Sequence, residues 1–224
     1  MHARGDSNLI MKPSLNNAYA RINRTNFHLL EFKRECQTIG SPTIRFYENC
    51  KGFVAFDPIV GNPASGLPTI FSILIGEAIY NLRSALDYLV YELAILDSGS
   101  VQHGTQFPIE NSVKGWEKHV DSFLKGLSIE HKTIIESFQP YRSCNWTQQL
   151  RDLSNPDKHR SLTILRLGGG ICNTDLFPTR ITVNMNRQIP LDIAFSDGRS
   201  VIKSIEELKS EVALVLEQFK SEFF

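Results

Sequence analysis

Several features that would point directly to a metal site are missing from this sequence. Its 224 residues include only four cysteines, at positions 36, 50, 144 and 172, and none of them forms a C-x-x-C pair. A structural zinc site needs closely spaced ligand pairs, so this scatter argues against a cysteine zinc site. The histidines also lack the H-x-x-x-H spacing of a helical metal site. We therefore predict no metal and no cofactor.

The sequence has no excess of charge of either sign. It contains 24 basic and 24 acidic residues, which gives a formal net charge of zero. Proteins that bind nucleic acid through general electrostatics usually carry a basic excess. The balance argues against that class of binder and leaves room only for a local basic patch.

Long apolar runs are also missing. No run approaches the roughly 20 residues that a membrane-spanning helix needs, and the first residues lack the apolar core of a secretory signal. We therefore predict a cytoplasmic protein with no membrane partner.

The composition that is present is that of a globular protein, with 42% hydrophobic and 21% charged residues. Residues 1–13 are polar and contain Pro13, which predicts a flexible N-terminal arm. The remainder, 14–224, is predicted to form a single helix-dominated α+β domain. Its longest periodic segment, 69–96, predicts a long buried central helix whose apolar face contains Ile75, Ala78, Leu82, Ala85, Leu86, Leu89 and Leu93.

Shorter elements surround this predicted helix. Helical spacing predicts further helices near 15–38, 113–126, 129–137 and 146–153, and a C-terminal helix with an apolar stripe of Ile205, Leu208, Val212, Val215, Leu216 and Phe219. Ser128, followed by Glu130 and His131, is the predicted cap of the helix at 129–137. Two small antiparallel β pieces are predicted as well. One is a hairpin within "TIRFYENCKGFVAFDP", and the other combines "SLTILRL" with "RITVNMNRQIPLDIAF".

The first candidate site lies on the polar side of the long helix. Arg83 and Asp87 are four residues apart and can pair on one helical face, with Asn81 at its edge. Two interpretations are open. The three side chains line a shared cavity, or they form the paired flank of a buried helix.

The second candidate site is the charged corner in "LSNPDKHRSLTILRL", residues 153–167. Asn155 can cap a helical turn and Pro156 suits its first position. Four titratable residues follow in a row: Asp157, Lys158, His159 and Arg160.

Two interpretations of this corner are also open. His159 can serve as a general acid or base, and Arg160 can bind phosphate or carboxylate. Alternatively, Asp157 pairs with Arg160, His159 bonds a backbone carbonyl, and the corner is structural.

Four stretches in order, "GEAIYNLRSALDYLVYELA", "FPI", "FQPY" and "LSNPDKHRSL", resemble a group of uncharacterised bacterial and phage proteins. The likeness covers roughly residues 70–165. It implies that the residues of both candidate sites belong to one constellation, and it implies no activity. That constellation is Asn81, Arg83, Asp87, Asp157, Lys158, His159 and Arg160.

A looser likeness is to the HEPN helical domains. Many of those are metal-independent ribonucleases with an Arg and a His at the end of one helix. Arg151 and His159 lie farther apart than that pattern, with Pro156 between them. A HEPN-like chemistry would instead use His159 with Arg83 or Arg160.

Two functions from different classes follow. In the first, a polar Arg/Asp/His pocket binds or cleaves RNA or a nucleotide without metal. His159 would be the acid or base, Arg83 and Arg160 would stabilise phosphate charge, and Asp87 or Asp157 would orient them.

In the second, the chain is a non-enzymatic protein-interaction module, and the same cluster is a salt-bridge network that fastens the long helix to the sheet. The C-terminal phenylalanines Phe219, Phe223 and Phe224 could form a homodimer contact or complete the core.

Overall fold

Apolar residues at helical spacing form six α-helices in the part of the chain that the computed structural model describes. That part is residues 12–38, 43–48, 54–59, 68–154, 162–164, 193–195 and 197–224. The helices are α1 (Asn16–Thr38), α2 (Thr69–Ser98), α3 (Val113–Phe123), α4 (Ile129–Ser137), α5 (Asn145–Ser154) and α6 (Val201–Phe219). The prediction of a helix-dominated chain is confirmed.

The strands are short and pair two by two. Strand β1 (Thr43–Glu48) is antiparallel to β2 (Val54–Ile59), with Phe46 opposite Phe56. Strand β3 (Leu162–Ile164) is antiparallel to β4 (Ile193–Phe195). Each pair forms a separate two-stranded sheet.

Helix boundaries follow local capping chemistry. Ser112 and Ser128 accept hydrogen bonds from the backbone amides of Gly115 and His131, which begins α3 and α4. The predicted cap at Ser128 is thus confirmed. Helix α3 ends at Phe123, three residues before the predicted end. The chain turns at Gly126, whose φ of +82° favours glycine.

Contacts divide the chain into two compact units. The first contains the start of α1 up to Ile22, the stretch Arg83–Arg151 and the end of the chain from Glu211. The second contains Asn23–Leu82 and Asp152–Ser210. The expected N-terminal arm falls mostly on residues outside the described ranges, and a single domain over 14–224 stays a prediction.

Each unit has its own apolar core. In the second unit Phe32 of α1 meets Phe71 of α2 edge to face, with ring centroids 5.3 Å apart. Helix α6 contributes Ile205 and Leu208 there, both buried. The first unit buries residues from five segments: Leu86, Leu89, Leu93, Phe107, Ile135, Leu150, Val212, Leu216 and Phe219. The predicted apolar stripe of the C-terminal helix is confirmed, since all six of its residues are buried.

None of the helices within the described ranges is both long and apolar enough to cross a membrane.

One charged residue interrupts the apolar face of α2. Glu92 is 4% exposed, and its Oε2 accepts a hydrogen bond from the backbone amide of Ser14 at 3.0 Å. Burial raises the pKa of Glu92, and the Ser14 amide opposes that shift. Glu92 therefore joins the segment before α1 to α2 at the cost of burying a carboxylate.

We predict that Glu92→Gln stabilises the protein at neutral pH by about 1 kcal/mol, because an amide oxygen can still accept from Ser14 without a buried charge. A carboxylate whose pKa is raised on folding favours the folded state most at low pH, and this contribution is lost as pH rises through the raised pKa. The gain from glutamine should therefore shrink as pH falls. Urea unfolding at several pH values measures it, and a loss of stability at neutral pH would contradict this account.

Candidate functional site

The charged pair predicted on α2 is present. Nη2 of Arg83 lies 3.5 Å from Oδ1 of Asp87, with the i, i+4 spacing expected from the sequence. The two side chains are 21% and 35% exposed, so the pair is neither fully enclosed nor freely solvated.

Both members of the pair bind the backbone of one other residue, Phe107. Oδ1 of Asp87 accepts a hydrogen bond from the Phe107 amide at 2.8 Å, and Nη2 of Arg83 donates to the Phe107 carbonyl. The side chain of Phe107 is completely buried. Since a buried backbone needs polar partners for its amide and carbonyl, Arg83 and Asp87 supply both.

Burial changes the proton affinity of this pair. It raises the pKa of Asp87, while the positive charge of Arg83 and the Phe107 amide oppose the shift. It also lowers the pKa of Arg83, which Asp87 opposes. An arginine keeps its charge at physiological pH, so Asp87 has a permanent counterion beside it.

A further side chain, two residues after the end of α4, binds the same segment. Gln139 is completely buried, and its Nε2 donates to the carbonyls of Pro108 at 2.9 Å and Ile135 at 3.1 Å. Its Oε1 accepts from the amide of Glu110 at 2.8 Å. One amide side chain therefore pairs with a carbonyl and an amide of the 107–110 segment, much as a neighbouring strand would.

Three of the sequence stretches thus meet at one place. The N-L-R-S-A-L-D helix supplies Arg83 and Asp87, F-Q-P-Y supplies Gln139, and F-P-I is the segment that they hold. We call residues 107–110 the clamped segment. Arg83 and Asp87 fasten α2 to this segment, whereas the sequence-based structural hypothesis expected them to fasten it to a sheet.

The clamped segment also positions an acid–imidazole pair. Oε1 of Glu110 lies 2.8 Å from Nδ1 of His119, and the imidazole stacks on Phe123 with ring centroids 5.0 Å apart. The carboxylate packs so closely on Gly115 that an added Cβ would lie 2.6 Å from Oε2. A side chain at this position of α3 would therefore require the Glu110 carboxylate to shift.

A similar pair joins the end of α2 to the start of α4. Oδ2 of Asp97 lies 2.7 Å from Nδ1 of His131 and accepts from the amide of Ser128 at 2.7 Å. The His131 ring meets Phe219 with centroids 5.7 Å apart. Because His131 is buried and each named atom binds another part of the fold, we interpret this pair as structural.

The other predicted site residues have different outcomes. Asn81 is 4% exposed, and its amide donates to the Glu77 carbonyl at 2.7 Å. The charged corner, Asp157, Lys158, His159 and Arg160, lies outside the described residues. The structure thus brings Arg83 and Asp87 together, and a constellation that includes the corner stays a prediction.

Sequence reasoning assigned no role to Gln139 or Glu92. Gln139 stands in the F-Q-P-Y stretch, one of the four that carry the resemblance. Glu92 lies three residues after Leu89 and thus on the apolar face of α2. A charged residue on an otherwise apolar helix face indicates a buried polar contact, and this signal in the sequence could have identified Glu92.

Within the described residues, no group of three or more His, Cys, Asp or Glu side chains is close enough to hold a metal ion. The acid–imidazole pairs contribute two such groups each, which is fewer than a protein metal site normally uses.

The second unit contains a buried histidine, His28, that lies beside a carboxylate without forming a hydrogen bond to it. Nδ1 of His28 lies 3.0 Å from Oε2 of Glu77, yet it makes no hydrogen bond to any part of the chain that the structure describes. The His28 side chain is 4% exposed, and that of Glu77 is 53% exposed. Burial lowers the pKa of His28, Glu77 opposes the shift and Arg24 adds to it.

We predict that Asp87→Ala lowers the free energy of unfolding by about 2 kcal/mol, because it leaves the Phe107 amide and the Arg83 charge without their partner. The partial exposure of the pair keeps the cost below that of a fully buried pair. The control is Asp121→Ala, since the Asp121 side chain is 89% exposed beside Lys132 and its removal should change stability by less than about 0.5 kcal/mol. Equal urea midpoints for the two variants would show that the clamp contributes nothing.

We also predict that His28 makes the protein less stable in mild acid. A histidine whose pKa is lowered on folding takes up its proton more readily in the unfolded state, so stability falls as pH drops below about 6.5. His28→Gln should reduce this slope by up to about 1.4 kcal/mol per pH unit, the limit for one proton. His103→Gln, at an exposed position, should leave the slope unchanged. Identical slopes for wild type and His28→Gln would refute the assignment.

Comparison of the chain with protein-family models, with curated proteins and with solved structures found no match. The likeness to the N-L-R-S-A-L-D group and the looser likeness to HEPN domains therefore stay predictions.

Proposed function

We propose that this chain is a cytoplasmic α+β protein that works as a non-enzymatic protein-interaction module, with Arg83 and Asp87 as part of its structural network. The observation that carries the proposal is that both side chains bind the backbone of the same residue, Phe107. Asp87 accepts from the Phe107 amide at 2.8 Å, and Arg83 donates to the Phe107 carbonyl. An arginine committed in this way has fewer donors left to stabilise a phosphate.

Two further features support an interaction role. The formal net charge of zero does not favour general binding to RNA. The outward side of α2 exposes Ile70, Ile73 and Tyr80, which are 39%, 49% and 63% exposed. Exposed apolar side chains spaced three and seven residues apart on a regular helix are typical of protein contacts.

The other candidate is a metal-independent pocket that binds or cleaves RNA or a nucleotide, with His159 as acid or base and Arg160 on phosphate. A histidine beside two cationic residues at 158 and 160 is the feature in its favour. In that case Arg83 would have to bind the phosphate of the ligand while it also donates to the Phe107 carbonyl.

The test is an RNA cleavage assay with the wild-type chain, His159→Ala and the control His103→Ala. We expect no cleavage above background from any of the three, because the proposed role needs no acid–base chemistry. Cleavage by wild type and His103→Ala that is lost in a folded His159→Ala variant would overturn the proposal and establish the pocket.

A further inference from the structure

The turn before α6 contains the only aspartate–glycine pair in the sequence, Asp197–Gly198. Both residues are exposed, and Gly198 has a φ of +86°, which favours glycine. The Gly198 amide donates to the Phe195 carbonyl at 2.9 Å, and the Phe195 amide donates to the Arg199 carbonyl at 3.0 Å. These two bonds fix β4 to the residues just before α6, so they depend on the length of the backbone between positions 195 and 199.

An aspartate that precedes a glycine can rearrange without an enzyme. The amide nitrogen of the glycine bonds to Cγ of the protonated carboxyl group, and the amide proton leaves with the carboxyl hydroxyl as water. Water then opens the resulting succinimide ring at either carbonyl, which gives aspartate or isoaspartate, so the overall reaction consumes no other reagent. Glycine favours the attack because it has no side chain to hinder it. In isoaspartate the main chain passes through Cβ and Cγ and is one atom longer.

The carboxylate of Asp197 is held by Arg199 through both oxygens. Oδ2 accepts hydrogen bonds from Nε at 2.8 Å and from Nη2 at 2.6 Å, and Oδ1 accepts from the Arg199 amide at 3.1 Å. Bonds of this charge-assisted kind favour the ionised carboxylate. The Arg199 side chain accordingly holds the pKa of Asp197 below its usual value, and burial opposes this shift. Since the ring closes only from the protonated carboxyl group, Arg199 disfavours the reactive form.

The attacking group is held as well. The Gly198 amide already donates to the Phe195 carbonyl, and it has to give up this hydrogen bond before its nitrogen can bond to Cγ of Asp197. The folded turn therefore restrains both partners of a reaction that the sequence favours.

From these contacts we infer that Asp197–Gly198 is a site of spontaneous isoaspartate formation, and that Arg199 suppresses the reaction in the folded chain by holding the Asp197 carboxylate. The inference is independent of the proposed interaction role. The product would lengthen the turn by one main-chain atom, which the two hydrogen bonds of Phe195 do not allow.

Prolonged incubation of the full chain at neutral pH tests the inference, with isoaspartate at position 197 measured by peptide mapping and isoaspartyl methyltransferase labelling. We expect Arg199→Ala to form isoaspartate about two- to fivefold faster than wild type, since the upper value corresponds to an exposed ion pair of about 1 kcal/mol. Arg199→Lys, which keeps the charge and loses the Nε donor, should give a smaller increase. It decides the question if Arg199→Ala fails to fold.

The same incubation in concentrated urea separates the folded turn from the local sequence. Wild type and Arg199→Ala should both react faster there than the folded wild type and at nearly equal rates, because unfolding removes the hydrogen bonds of the turn. A wild type that forms no isoaspartate in urea would overturn the inference, and so would an Arg199→Ala effect of the same size in urea as in the folded chain.

Arg142→Ala is the matched control variant. It removes another exposed arginine–carboxylate pair, in which Nη2 of Arg142 lies 2.6 Å from Oε1 of Glu136, the same distance as from Nη2 of Arg199 to Oδ2 of Asp197. It should leave the rate at Asp197 unchanged, and circular dichroism should show that each variant is folded. Equal rates for wild type and the folded Arg199 variants, or an equal increase in Arg142→Ala, would show that Arg199 does not protect the site.

Discussion

A short stretch of irregular backbone, the clamped segment, has to be buried in the first unit, and its polar groups must be satisfied there. A helix or sheet would meet this requirement with its own hydrogen bonds, but residues 107–110 form neither. The side chains of Asp87, Arg83 and Gln139 supply the missing partners. Together they bind two backbone carbonyls and two backbone amides of the segment. The buried Phe107 and the Glu110 end of the Glu110–His119 pair are held in place by these bonds.

The same constraint explains why α2 carries so many polar groups for a helix that is largely apolar. Asp87 faces the clamped segment, Glu92 faces the Ser14 amide and Asp97 faces His131 and Ser128. Each carboxylate binds a backbone amide at a point where another segment approaches α2. Burial of these charges costs stability, and each contact joins α2 to a different segment of the chain.

Much of this organisation was predictable because it depends on local sequence. Apolar spacing predicted the bounds of five of the described helices to within three residues, and Ser128 was predicted as a cap from the sequence alone. The i, i+4 pairing of Arg83 and Asp87 was predictable for the same reason. Their contact with Phe107, twenty residues beyond Asp87, was not predictable. The sequence around a carboxylate on a helix does not indicate which distant backbone amide it will bind.

The sequence by itself therefore determined the helices, their apolar faces and the residues able to form a polar cluster, since these follow from periodicity and capping within a few positions. Only the tertiary structure decided that Gln139 and the Arg83–Asp87 pair hold the same segment. Such relations depend on which distant segments pack together, and that is set by the sum of many weak contacts over the whole chain rather than by any one motif.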